Sequence, residues 1–323
     1  MPSHPQQKNS SKSNARWWLG TVGKWLLVLL IAWGISSTLS DGVAELKREA
    51  WHVRPSWLVL AGATYLVGLA PSAMFWHRVL GVLGQSPRWF ETFRAYYIGH
   101  LGKYVPGKVL VVVLRTVLIR SRRVDAPVAA LSVFYETLTM MAIGALVATV
   151  LVAVGFRQHR WLMGVALGLM LAAGVPLVPA VFSRLLRWLR IERYQPSLIA
   201  LLQKLGWRDL LAGWIGIAGG WAMLGASLWA TVRSLGAEIT FPEDLPLCIA
   251  AASLAVVAGF LSMIPGGAVV REAVLLELMA PRFGNGLALV AVLALRLVWL
   301  LAELTISVIL YFGSGRREQP HTS

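Results

Sequence analysis

The sequence has little of the charge that covers the surface of a soluble protein. Only 14% of its 323 residues are charged, whereas 57% are hydrophobic, and this balance excludes an ordinary soluble domain. Acidic residues are the scarcest charged group, with 15 Asp and Glu against 30 Lys and Arg. The single cysteine, Cys248, excludes an internal disulfide and a cysteine metal cluster.

Motifs of covalent chemistry are also missing from the sequence. It contains no Gly-rich phosphate loop, no metal-ligand spacing and no nucleophile elbow. We therefore expect a protein that is not an enzyme, with no cofactor and no metal ion.

Long apolar runs dominate the rest of the sequence. A helix needs about 20 apolar residues to cross a bilayer, and six segments meet that requirement. We therefore predict an all-α polytopic membrane protein, with a disordered cytoplasmic tail at 1–15, a membrane domain at 16–313 and a second cytoplasmic tail at 314–323. The six predicted spans are 16–39, 55–76, 127–154, 161–182, 210–232 and 286–312.

Two further apolar segments, at about 95–119 and 245–281, are interrupted by helix breakers. Pro and Gly disrupt the helical backbone, and in lipid a broken backbone survives only inside protein or beside a wet cavity. We predict that both segments are re-entrant hairpins. The predicted hinge residues are Gly102, Pro106 and Gly107 in the first and Pro265, Gly266 and Gly267 in the second.

The distribution of basic residues predicts the orientation. With six spans and two hairpins, both termini lie on one side, which carries 17 of the Lys and Arg residues against 7 on the other. Basic loops remain cytoplasmic, so we predict a multi-pass protein of the cytoplasmic (inner) membrane that does not bind nucleic acid. The hairpins then enter from opposite faces, as in an inverted-topology repeat.

Charged residues near the first break are the first candidates for a binding site. Lys103 and Lys108 flank the break, with Tyr104 between them. Intramembrane charges are rare and usually functional, so we expect these lysines to neutralise an anionic head group. The alternative is that they reach the interface and contact only lipid phosphate. We expect Tyr96, Tyr97, Tyr104 and His100 to be interfacial anchors more often than catalysts.

Further candidates lie deeper in the predicted spans. Glu136, near the middle of its span, requires a cationic partner, for which Lys103, Lys108, Arg115 and Arg296 are the candidates. Arg296 and Glu303 are seven residues apart and share one helix face, which we expect to point into the bundle.

Beyond the second break, Arg271 and Glu272 either hold a phosphate together or form a structural salt bridge. These two readings remain open at the level of the sequence.

These residues resemble the lysylphosphatidylglycerol synthase transmembrane-region family. The matching motifs are Gly102 to Lys108, Pro265 to Glu272, and Arg296 in the last helix. Many relatives have a further glycine where this chain has Ala268-Val269-Val270. The best-known member joins this region, regarded as a flippase, to a cytoplasmic aminoacyltransferase domain. This chain ends just after the last span, so the resemblance does not imply synthase activity here.

The resemblance and the buried charges together favour a lipid translocase that moves an anionic, phosphate-headed lipid, such as a lipid-linked sugar or a modified phospholipid. Two alternatives remain. One is a scaffold that docks a cytoplasmic glycosyltransferase or synthase through the basic loop at 184–208. The other is a lipid-phosphate transferase with Glu136 or Glu272 as its base. A homo-oligomer is compatible with each of the three.

Overall fold

A computed structural model describes residues 53–104, 109–155, 160–177, 181, 184, 207–262 and 269–314. Within these ranges the chain is helical, with no β-strand and one isolated bridge, Ser121–Val124. The helices are α1 (Pro55–Val82), α2 (Trp89–His100), α3 (Val109–Ile119), α4 (Ala126–Gly155), α5 (Arg160–Gly174), α6 (Trp207–Ser234), α7 (Leu245–Leu261), α8 (Val270–Phe283) and α9 (Asn285–Ser314).

Four of these helices are long and apolar enough to cross a membrane, namely α1, α4, α6 and α9. They correspond to the predicted spans at 55–76, 127–154, 210–232 and 286–312. Helix α5 covers only part of the span predicted at 161–182, because it ends at Gly174 and continues as a short 3-10 helix, Val175–Leu177. The predicted span at 16–39, the predicted tail at 1–15 and residues 315–323 of the second predicted tail lie outside the described residues, as do 185–206 of the basic loop.

The centre of the bundle is the contact between α1 and α6, where two glycines bring the backbones together. A Cβ added to Gly220 would lie 2.4 Å from the carbonyl oxygen of Gly68, and one added to Gly68 would lie 2.9 Å from that of Gly220. Small residues allow membrane helices to approach closely. Gly220 is the glycine of α6 that allows this approach, since a Cβ added to Gly216 would make only an ordinary contact with Pro71 at 3.5 Å.

The first interrupted segment forms a helical hairpin. Helix α2 continues as a 3-10 turn, Leu101–Tyr104, and packs against α3. The two arms lie close together, as the space beside two glycines shows. A Cβ added to Gly99 would lie 2.4 Å from Arg115 Cγ, and one added to Gly102 would lie 2.8 Å from the backbone nitrogen of Val111. At the base, the backbone N–H of Asp125 donates to Gln85 Oε1 at 2.8 Å.

The second interrupted segment is built in the same way from α7 and α8, which pack against each other. Its base is closed by a two-pronged ion pair, in which Arg282 Nε donates to Asp244 Oδ1 at 2.9 Å and Nη2 to Oδ2 at 3.2 Å. The last helix, α9, packs against α8 and α2, so one long helix joins the two hairpins.

The breaks themselves lie at the limits of the described residues. Pro106, Gly107 and Lys108 of the first break, and Pro265, Gly266 and Gly267 of the second, are outside them. The residue that begins the described part of the second return arm is Val269, whose φ is +69°. A β-branched residue rarely adopts this conformation, so the backbone at Val269 is strained.

Candidate functional site: a buried ionic cluster between two hairpins

The charged residues predicted to lie inside the membrane come together where the two hairpins meet α9. Four cations and three carboxylates are joined by ion pairs and by two further side chains, Tyr65 and His100. We call this group the ionic cluster; its members are Tyr65, His100, Lys103, Arg115, Glu136, Arg271, Glu272, Arg296 and Glu303.

Glu303 is the centre of one half of the cluster. Its side chain is fully buried, and Lys103 Nζ lies 2.5 Å from its Oε1. The Tyr65 hydroxyl donates to the same oxygen. Lys103 also lies 3.0 Å from the Tyr65 hydroxyl oxygen and 5.5 Å from the centre of that ring. Lys103, on the first hairpin, is therefore tied both to α9 and to α1.

Arg115 and Glu136 form the second buried pair. Arg115 Nη1 donates to Glu136 Oε2 at 2.7 Å, and both side chains are at least 97% buried. The guanidinium lies 3.8 Å from the centre of the Tyr96 ring, an arrangement that favours arginine over lysine. The expectation that Glu136 has a cationic partner is confirmed, and Arg115 is that partner among the four candidates.

His100 connects these two pairs. Arg115 Nη2 lies 3.2 Å from His100 Nδ1, and His100 Nε2 lies 3.8 Å from Glu303 Oε1. Because arginine can only donate, Nδ1 must accept, and the ring proton of a neutral imidazole is then on Nε2, facing Glu303. A continuous polar path thus runs from Glu136 through Arg115 and His100 to Glu303.

Arg271, Glu272 and Arg296 form the part of the cluster nearest the second hairpin. Glu272 Oε1 lies 3.0 Å from Arg296 Nη1 and 3.7 Å from Arg271 Nη2. The interhelical salt bridge considered from the sequence therefore exists, between α8 and α9. Arg271 is the less closely neutralised of the two arginines, and its guanidinium lies 5.8 Å from the centre of the Trp299 ring.

An aromatic pair links the two halves of the cluster. Trp299 stacks on Tyr65 with ring centres 4.5 Å apart and planes 13° apart. Lys103 lies against the Tyr65 ring and Arg271 against the Trp299 ring, and the two cations are within electrostatic reach of each other. Tyr104 is also close, because its ring centre is 5.1 Å from Lys103 Nζ.

The face of α9 predicted to point into the bundle does so. Glu303 is fully buried, and Arg296 is mostly buried against Glu272. The interfacial role expected for Tyr96 and His100 is wrong, because Tyr96 is fully buried and His100 is 16% exposed inside the cluster. Packing between α2 and α3 turns these side chains inward.

Two members of the site were not found from the sequence. Trp299 follows Arg296 by three residues, so the shared helix face was a usable signal. The signal for Tyr65 was weaker: it is a tyrosine far from either end of its helix, where a hydroxyl needs a hydrogen-bond partner. Neither signal specifies a partner on another helix.

Two other features lie apart from this cluster. A groove of about 560 Å³ is lined by α8 and α9 residues, among them Glu277 and Asn285, and contains no member of the cluster. In the described part of the chain, no three His, Cys, Asp or Glu side chains come together as a metal-ion site requires.

The match to known protein families agrees with this geometry. The family model described as the lysylphosphatidylglycerol synthase TM region matches residues 19–306. The chain belongs to that family. The match includes both hairpins and the whole ionic cluster, so the cluster lies within the family's membrane region. No curated protein matches the chain.

Proposed function

We propose that this member of the lysylphosphatidylglycerol synthase TM region family is a lipid translocase. Its substrate is an anionic lipid with a phosphate in the head group, such as a lipid-linked sugar or a modified phospholipid. The observation that carries the proposal is the ionic cluster, in which four cations share three carboxylates. Among the described residues the cluster thus has one more cation than carboxylates, and an excess cation at membrane depth favours an anionic ligand.

The types and positions of the cations favour a phosphate. Lys103 and Arg271 belong to different hairpins, and each lies against one ring of the Tyr65–Trp299 stack. Phosphate oxygens accept charge-assisted hydrogen bonds from both residue types. A head group held by both side chains would connect the two hairpins, so that their relative movement would carry it.

The membrane arrangement that fits this function has both hairpins re-entrant and entering from opposite leaflets, with six spans and both termini in the cytoplasm. The hairpin bases at Asp125 and Asp244 then face opposite sides of the inner membrane. Helices α3 and α8 both begin beside the breaks, at Val109 and Val270. Their amino ends add positive potential there, as the broken helices of transporters do.

A mechanism without covalent chemistry fits the carboxylates better than group transfer does. Glu136 is engaged by Arg115 and Glu272 by Arg296. Each carboxylate is therefore occupied by a guanidinium and is not presented to a substrate as a general base would be. The role left for these groups is to hold the cations in position for a head group.

Lipid movement in liposomes tests the proposal. Purified protein is reconstituted with phosphatidylglycerol that carries a fluorescent head group or chain, and dithionite reports the fraction reaching the outer leaflet. Lys103→Ala, Lys108→Ala and Arg271→Ala should each slow movement by about tenfold or more, the effect expected when one charge-assisted bond is lost. Arg122→Ala, at an exposed position on the hairpin base, is the matched control.

Movement at the rate of the unmodified protein in all three variants would refute the mechanism. Movement that is no faster than in protein-free liposomes, for phosphatidylglycerol and for sugar-phosphate lipids alike, would refute the function. A Lys103→Arg variant that retains most of the rate would support the role of the positive charge.

A further inference from the structure

Glu303 is the carboxylate next to Lys103, the residue to which the proposed function assigns the phosphate of the lipid. Lys103 already has an anionic partner in Glu303, at 2.5 Å. A phosphate that approaches Lys103 brings a second negative charge next to the carboxylate. In a medium of low dielectric constant, two anions this close repel strongly.

We propose that Glu303 takes up one proton when the phosphate of the lipid binds Lys103, so that lipid and proton are bound together. This inference rests on the proposed function and specifies the ion to which lipid movement is coupled. The proton binds a carboxylate oxygen of Glu303. The ammonium group of Lys103 then exchanges its ion pair with this carboxylate for one with the phosphate. The resulting carboxylic acid remains a hydrogen-bonding partner for Tyr65.

The surroundings of Glu303 favour its protonation as the way to remove the repulsion between the carboxylate and the bound phosphate. The groups that face it are Tyr65 from α1, His100 from α2, and Lys103 and Tyr104 from the 3-10 turn. Arg271 of α8 and Arg296 of α9 are the charged groups near Tyr104. Arg296 is held by Glu272. The fully buried carboxylate therefore loses its closest cation when Lys103 turns to the phosphate, and an ionised carboxylate without a partner is costly at this depth.

A route for the proton is present beside Glu303. His100 Nε2 is 3.8 Å from Glu303 Oε1, and its ring proton faces that oxygen while Nδ1 accepts from Arg115. The side chains of His100 and Lys103 are 16% and 24% exposed, whereas Glu303 is completely buried. Protons therefore reach Glu303 past these two residues.

The charge balance gives the proposal a second consequence. A phosphate diester carries one negative charge, and one proton cancels it. The net charge of the ionic cluster is then the same with and without bound lipid. Transport should respond to a pH difference across the membrane and should be insensitive to membrane potential.

Proton uptake on binding tests the proposal in detergent solution. The protein is titrated with dihexanoylphosphatidylglycerol in weak buffer containing a pH indicator, and calorimetry reports binding. We expect uptake of about one proton per bound lipid, with affinity rising by up to about tenfold for each unit by which the pH falls. Glu303→Gln should bind lipid with no proton uptake and with a flat pH dependence. Glu277→Gln, an exposed residue on α8, should behave as the unmodified protein does.

Each outcome has a defined meaning. Binding to the unmodified protein without proton uptake would overturn the coupling and leave the translocase proposal intact, and this result does not depend on whether Glu303→Gln folds. Proton uptake that persists in Glu303→Gln would overturn the assignment to Glu303. A complete lack of binding, for dihexanoylphosphatidylglycerol and for a short-chain sugar-phosphate lipid alike, would overturn both proposals. In liposomes, a rate that follows an imposed potential but ignores an imposed pH difference would also overturn the coupling.

Discussion

Lys103 and Glu303 are 200 positions apart in the chain, and their charged atoms are 2.5 Å apart in the structure. The contact joins the turn of the first hairpin to the buried face of α9. Removing one partner of a buried ion pair is far more damaging than replacing both with apolar residues, and this asymmetry makes the pair experimentally useful.

Lys103→Met should destabilise the protein by about 3 kcal/mol, because it leaves the buried Glu303 carboxylate without its cation. The double variant Lys103→Met/Glu303→Met should recover most of this loss yet remain inactive in lipid movement. Thermal unfolding in detergent and the liposome assay check the two halves of the prediction. Equal losses of stability in the single and double variants would show that the pair is not coupled.

Arg115→Lys should be harmful even though the charge is kept. Lysine has a single nitrogen at its tip, so it cannot contact both Glu136 and His100, and it loses the stacking on Tyr96. We expect a loss of about 1 to 2 kcal/mol of stability. Arg120→Lys, at an exposed position at the end of the hairpin, is the control, and an equal effect of both substitutions on thermal unfolding would contradict the prediction.

Gly99→Ala should force the arms of the first hairpin apart, since the new Cβ would lie 2.4 Å from Arg115 Cγ. The expected cost is about 1 to 3 kcal/mol from overpacking, together with slower lipid movement because Arg115 is displaced. Gly164→Ala, inside α5 with nothing within 4 Å of the added Cβ, should be neutral or stabilising by up to about 1 kcal/mol. A Gly99→Ala variant as stable as Gly164→Ala would disprove the close approach.

Val269→Gly should stabilise the protein, which is unusual for a change to glycine. Val269 has a φ of +69° and is 74% exposed, so little packing is lost when its side chain is removed. Relief of strain worth about 1 to 3 kcal/mol exceeds the entropic cost of glycine, roughly 0.5 to 1 kcal/mol. Ala273→Gly within α8 should lower the unfolding temperature, and a fall of similar size in Val269→Gly would show that the conformation is not strained.

Cysteine labelling should place the bases of the two hairpins on opposite sides of the membrane. Arg122 and Glu243 are exposed at the first and second bases, respectively, and the native Cys248 is fully buried, so background labelling will be low. An impermeant maleimide applied to intact cells should modify Glu243→Cys and leave Arg122→Cys unmodified until the cells are opened. Modification of both from the same side would rule out the inverted arrangement.

The sequence was sufficient to predict the positions of the helices. Apolar length alone located α4, α6 and α9 to within three residues at each end and the start of α1, which runs six residues past its predicted end. A bilayer requires a similar length of every span, and helix breakers lie between the spans. The same reasoning identified the residues of the cluster other than Tyr65 and His100, since a charged residue within an apolar run requires an ionic partner or a functional role.

Only the tertiary structure decided which charges are partners. The sequence left four cations open for Glu136 and assigned no partner to Glu303, because helical periodicity relates residues on one helix and contains no information on the rotation or depth of another. That relation depends on close backbone contacts, such as Gly68 with Gly220 and Gly99 with Arg115. Those contacts turn Tyr65, His100 and Lys103 toward one carboxylate, and so the tertiary packing creates the site from charges that the sequence could only predict to be buried.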